Sequence, residues 1–168
     1  MRESLIIGLM LLAMASAKAA EEPRGCDKFK WNVDHARAAL TAPDRVRLAS
    51  GSALAALPPT AMILALAAPT DARLPTPPER VPKEGTFAGF TRFTSAPKPG
   101  IYTVSLSTGA WVDVVQDDRP LKPKAFSGAR DCDGIRKTMK YEMTANPFIL
   151  QISGARDNSI SIAILPAE

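Results

Sequence analysis

The sequence predicts an all-β fold, an antiparallel, jelly-roll-like β-sandwich with one short helix near its N-terminus. Two observations carry that prediction. From Thr86 to the C-terminus about six segments of strand length follow one another, alternating in polarity and separated by Gly, Asn, Asp and Pro turn residues. Before Thr86, apolar runs are cut by prolines to strand or short-helix length, so no strands alternating with long helices appear and a βαβ arrangement is excluded.

The chain begins with Met1-Arg2-Glu3-Ser4, followed by an apolar run from Leu5 to Ala15. That run is too short to cross a hydrocarbon core, which needs about 20 residues. Ala17-Lys18-Ala19 supplies the small-x-small pattern of a cleavage site, so residues 1–19 read as a signal peptide and the protein is expected to be periplasmic or secreted. Pro23-Arg24-Gly25 ahead of Cys26 argues against a lipid anchor, and no later run is long enough for a membrane span. Removing residues 1–19 from the 168-residue chain leaves 149, the size of one domain, expected over 20–168. The signal takes Arg2, Lys18 and Glu3 from totals of 21 basic and 17 acidic residues, which leaves a mild net charge of +3. Neither that charge nor export favours a nucleic-acid partner. Both cysteines, Cys26 and Cys132, lie in the expected mature chain, and in an oxidising compartment two cysteines most simply pair with each other.

Phe29, Trp31 and Val33 alternate with Lys30 and Asn32, which predicts a half-buried strand. Asp34 is placed to cap a helix from His35 to Leu40, ended by Pro43. Leu54–Leu57 is brief and stopped by Pro58-Pro59, and Ala61–Ala67 is read as a buried strand between that break and Pro69. Residues 74–82 (LPTPPERVP) hold four prolines and predict a polyproline-like connector within the domain. Strands are then expected at Thr86–Thr94, Ile101–Leu106, Ala110–Gln116, Thr138–Met143, Phe148–Ser153 and Ser159–Leu165. Turns are expected at Ser107–Gly109, Asp117–Pro120, Asn146-Pro147 and Gly154–Asn158.

Chemistry-bearing residues are few. His35 is the only imidazole, whereas hydrolytic triads and most catalytic metal sites rely on histidine. No G-x-S-x-G is present to expose a serine nucleophile. Asp113 and Glu142 are the carboxylates that neighbouring strands can bring together, although alternate polar positions on a one-sided strand look the same. Asp131-Cys132-Asp133-Gly134 resembles the start of a calcium loop but lacks the full ligand set, and a turn around the disulfide explains it equally. Met62, Met139 and Met143 fall on apolar faces, as core methionines do, rather than forming a copper site. No metal or other cofactor is therefore expected.

Charge is concentrated between Arg119 and Lys140. Arg119, Lys122, Lys124, Arg130, Arg136, Lys137 and Lys140 face only Asp131 and Asp133 in that window. Such a cluster suits an anionic partner in the cell envelope (a polymer, glycan, lipid head group or acidic protein), while solvated loops beside a disulfide share the same composition. Trp111 among polar residues is either a sugar-stacking platform or an edge aromatic of the core.

The runs GIYTVSLSTGAWVDVVQDDRPL, CDGIRKTMKYEM and PFILQISGARDNSISIAILP make the C-terminal half resemble the bacterial pre-peptidase C-terminal type of jelly-roll module. The motifs that carry this resemblance describe a fold and not an active site. With CDKFKWNV near the expected mature start, the whole chain looks like a group of small exported proteobacterial proteins to which the name homogentisate 1,2-dioxygenase is sometimes attached. That activity uses an iron held by two histidines and a carboxylate, and a chain whose only histidine is His35 offers no such set to carry over. The expected function is a non-catalytic binding or accessory module of the envelope; the alternative is an enzyme of unrecognised type.

Overall fold

The computed structural model describes residues 21–94 and 98–167; the expected signal peptide lies outside the described residues. The described residues fold as two packed β-sheets with one α-helix on the outside, as the strand pattern predicts. The elements in order are α1 (Asp34–Thr41), β1 (Val46–Leu48), β2 (Ala53–Leu54), β3 (Met62–Ala65), β4 (Phe87–Phe93), β5 (Gly100–Leu106), β6 (Trp111–Gln116), β7 (Arg119–Pro120), β8 (Ala125–Gly128), β9 (Lys137–Met143), β10 (Phe148–Ala155) and β11 (Ser159–Pro166). One sheet has the order β1-β3-β11-β5-β9-β8, the other β2-β4-β10-β6-β7.

All six strands expected after Thr86 are present, and their interior pairings are antiparallel. The sheets are nevertheless mixed. The edge strands β1 and β2 run parallel to β3 and β4, because the chain reaches them by a crossing from one sheet to the other and not by a hairpin.

Alternation along the strands builds the core. Val104, Leu106, Met139, Tyr141, Met143, Ile160, Ile162 and Ile164 of the first sheet meet Phe93, Val112, Val114, Phe148, Leu150 and Ile152 of the second. Phe93 and Phe148, opposite one another on β4 and β10, stack with ring centroids 4.4 Å apart. Met62, Met139 and Met143 are all buried here, as core fillers. The Asp117-Asp118 turn has φ of 51° and 59°, the doubly left-handed geometry that joins two twisted strands most directly. Pairing therefore resumes at Arg119-Pro120, two positions the sequence assigned to the turn. Likewise Gly154 (φ 68°) sits in a bulge where the β4–β10 register shifts, and β10 continues to Ala155 instead of ending at Ser153.

The strand expected at Phe29–Val33 does not form. Cys26–Lys28 make a 3-10 turn, and Phe29 and Val33 then enter a second apolar cluster with Ala36 and Leu40 of α1, Cys132, Ile135 and Ala163. The alternating pattern is a consequence of packing under the helix. The Lys30 N–H, which a strand would give to a ladder, donates instead to Ser127 Oγ at 3.0 Å. Asp34 is not the cap either. It is the first helical residue, and its N–H donates to Asn32 Oδ1 at 2.8 Å. An eight-residue helix is unstable alone, so the burial of Ala36 and Leu40 against the outer face of the first sheet must hold it.

Cys26 and Cys132 are joined by a disulfide, as expected. It ties the N-terminal arm to the loop before β9. Beside it Gly25 N–H donates to Arg130 O (2.8 Å) and Arg130 N–H to Pro23 O (2.7 Å).

Candidate functional site

The proline-rich segment 74–82 lacks regular structure, as expected, yet it is more than a connector. Asp113 and Gln151 are register partners on β6 and β10, and both point away from the core. Gln151, fully buried, accepts from Thr76 N–H at 2.9 Å and returns its amide to Thr76 O at 3.2 Å. Those two bonds pin the segment as a strap across the outer face of the second sheet. The strap in turn sets Glu79 against Asp113 and places the Arg80 guanidinium 4.4 Å from the centre of the Trp111 ring.

Trp111 stands where the strap, the β5–β6 turn and the open side of the sandwich meet. Its Nε1–H donates to Asp113 Oδ1 at 2.9 Å, which fixes the indole plane. Asp113 is only 5% exposed. Its other oxygen is buried beside the Glu79 backbone and the Gln151 amide without a well-formed hydrogen bond. Burial pushes this carboxyl above the usual aspartate range, the Glu79 charge adding to it, against the pull of the Trp111 N–H.

From the opposite sheet Lys137 reaches across the gap. Its Nζ donates to Ala110 O at 2.9 Å and lies 5.1 Å from the Trp111 ring and 5.4 Å from that of Phe126. Desolvation, then the charges of Arg80 and Arg136, hold its ammonium below the usual lysine range, with Asp113 acting in the other direction. Deeper in, Tyr141 donates to Val112 O at 3.3 Å, and burial raises its hydroxyl well above the usual tyrosine range.

Glu79, Arg80, Trp111, Lys137 and Tyr141, though not Asp113 or Gln151, line a cleft of about 1190 Å³ between the strap, the β5–β6 turn, the β10–β11 hairpin and the β8–β9 edge. Six of its lining residues are cationic (Arg80, Lys83, Arg130, Arg136, Lys137, Arg156) and four are acidic (Glu22, Glu79, Asp131, Asp157), so it is net positive. Phe126, 50% exposed, and Val81, 90% exposed, give the rim apolar surface. A ligand with both an apolar ring face and anionic groups meets complementary surface there.

The basic residues singled out from the sequence do not form one patch. Arg130, Arg136 and Lys137 line this cleft. Arg130 and Arg136 both hold Glu22, and Lys124 pairs with Glu142 at 2.6 Å. Lys140 lies on the other face of its strand, 4.9 Å from the Trp31 ring, beside a small hollow of about 160 Å³ that His35 also borders. Arg119 and Lys122 are exposed on and after β7. Asp113 and Glu142 are not brought together either. The first lies under the strap of one sheet, the second on the outer face of the other. The Asp131–Gly134 stretch is a turn: Asp131 pairs with Arg24, and Asp133 O accepts from Arg37. Among the described residues no three or more His, Cys, Asp or Glu side chains are grouped so as to hold a metal ion. Among the described residues, too, no helix is long and apolar enough to cross a membrane. Compared with known proteins, the chain matches no family model, no curated protein and no solved structure.

Proposed function

We propose that this protein is a non-catalytic binding module of the cell envelope, exported to the periplasm or beyond, which takes an anionic glycan across Trp111. The observation that carries the reading is the setting of that indole: locked by Asp113 at 2.9 Å, approached by Arg80 and Lys137, and opening on a net-positive cleft. A flat apolar ring beside fixed cations suits a sugar ring bearing carboxylates. Asp113 faces the indole and the strap and not the cleft, which favours a positioning role over acid–base chemistry. The Cys26–Cys132 disulfide and the cleavable leader read from residues 1–19 support an oxidising compartment. The resemblance of the C-terminal half to pre-peptidase C-terminal modules supports an accessory role.

Titration of intrinsic fluorescence tests this. The chain has two tryptophans, so a Trp31→Phe background isolates Trp111. Oligogalacturonate should perturb that signal and uncharged dextran should not; in calorimetric titration, which needs no fluorophore, Trp111→Ala should weaken binding of the oligogalacturonate about tenfold, or ~1.4 kcal/mol. Equal affinity of Trp111→Ala and the parent protein for the anionic oligomer would refute the reading.

A further inference from the structure

The rim of the cleft carries a second feature. Arg130 Nε and an Arg136 terminal nitrogen converge on one oxygen of Glu22, Arg130 at 2.7 Å. The Arg136 guanidinium and the Arg130 main chain are held independently of that carboxylate. Arg136 also donates from Nη1 to Ala129 O at 3.3 Å, and its backbone N–H bonds Leu106 O at 2.8 Å. The Arg130 backbone is locked on both sides, through its N–H to Pro23 O and its carbonyl to Gly25 N–H. The disulfide at Cys132 fixes the loop between them. Glu22, by contrast, lies beyond the Pro23 anchor, and its side chain is about half exposed. Arg136 therefore keeps its place whether or not the acid is there, and the fixed Arg130 main chain roots the second guanidinium beside it, so the two make a forked cationic receptor. Its grip on a carboxylate is evident: hydrogen bonds from Arg136 and then Arg130 pull the Glu22 carboxyl down to about 2.

We infer that Arg130 and Arg136 form a carboxylate subsite of the cleft, and that Glu22 of the N-terminal arm occupies it in cis as a tethered competitor. The inference rests on the reading of the cleft as a binding site and names its anion-recognising corner. With cleavage after Ala19, only Ala20 and Glu21 precede Glu22, so the competitor sits almost at the free end of the mature chain and can yield its place without unmaking the fold.

Calorimetric titration with trigalacturonate and with its uncharged methyl ester separates the possibilities. Glu22→Gln should bind trigalacturonate about 3- to 10-fold more tightly than the parent, the range expected for removing exposed ion pairs. It should leave the ester unaffected. Arg130→Gln should weaken the acid form, and the gain from Glu22→Gln should shrink in that background. High salt should erase the difference. If Glu22→Gln binds no more tightly than the parent while Trp111→Ala still loses affinity, the cleft reading stands and this inference falls. If Glu22→Gln gains while Trp111→Ala changes nothing, the subsite stands and the stacking reading falls. Binding by none of the proteins overturns both.

Discussion

Replacing Cys26 and Cys132 together by alanine should remove several kcal/mol of stability. The two residues are 106 apart in sequence. For a closed loop of that length the chain-entropy relation gives about 16 cal/mol/K, or ~4.8 kcal/mol at 25 °C, by which the reduced denatured chain is favoured. On the folded side the change is small. Cys132 is buried in the cluster under α1, where alanine keeps most of the contact, and the Gly25–Arg130 and Arg130–Pro23 hydrogen bonds hold the arm beside it. Chain entropy therefore outweighs the lost contacts, and because real denatured chains keep some compactness the figure is an upper value.

An unfolding entropy of about 0.3 kcal/mol/K for a domain of this size turns ~4.8 kcal/mol into a Tm drop of about 15 °C. Urea denaturation of the oxidised parent and of the double alanine variant is the assay. We expect a loss of about 3–5 kcal/mol with an m-value that rises, since the uncrosslinked chain exposes more surface on unfolding. A loss below about 1 kcal/mol at unchanged m would refute the loop-entropy reasoning. It would mean that the bridge does no more than tether a segment already held by the fold.

Two further predictions concern the strap. Asp113 has a folded-state carboxyl pKa raised by burial, so its contribution to stability is fully present below the unfolded value near 3.8 and is lost as pH rises through the folded value. Asp113→Asn should therefore gain stability relative to the parent as pH rises from 4 to 8; parallel pH profiles of the two proteins in urea melts would contradict this. Gln151→Leu removes both bonds to Thr76 and leaves those strap groups unpaired, at a cost of about 1–3 kcal/mol. Amide exchange across residues 74–82 should accelerate more than in the core of β10, and uniform exchange would show that the strap is held elsewhere.

The sandwich was legible because its determinants are local. Tyr102, Val104 and Leu106 on β5, or Ile160, Ile162 and Ile164 on β11, alternate cleanly with Thr103 and Ser105, or Ser161 and Ala163, and that apolar face of each strand enters the core. What escaped reading was structure with few residues or with non-local causes. Val46–Leu48 and Ala53–Leu54 are too short to show a period, and they exist because β3 and β4 offer them an edge. Ala125–Gly128 puts Phe126 on the inner face beside Met139, where the cleft leaves it half exposed, and buries Ser127 on the outer face under the N-terminal arm, so its burial is inverted relative to its polarity. Phe29–Val33 had the right period and the wrong cause: its apolar residues fill the space under a helix, a tertiary fact that a five-residue window does not contain.

The cleft was harder still to foresee, because its parts come from remote segments: Glu22, the strap around Arg80, Trp111, and Arg130 to Lys137. Trp111 stood out by its polar neighbours, but its neighbours in space are a strap residue and a lysine from the other sheet. Counting charges along the chain between Arg119 and Lys140 overstated one patch for a simple reason. Residues on a strand alternate sides, so Lys137 and Lys140, three apart, must leave β9 on opposite faces. The first reaches inward to Ala110 O and the Trp111 ring; the second covers Trp31 beside α1. Charge density in a sequence window therefore becomes a binding argument only after the strand's phase is known, and here the phase assigns Lys137 to the cleft and removes Lys140 from it.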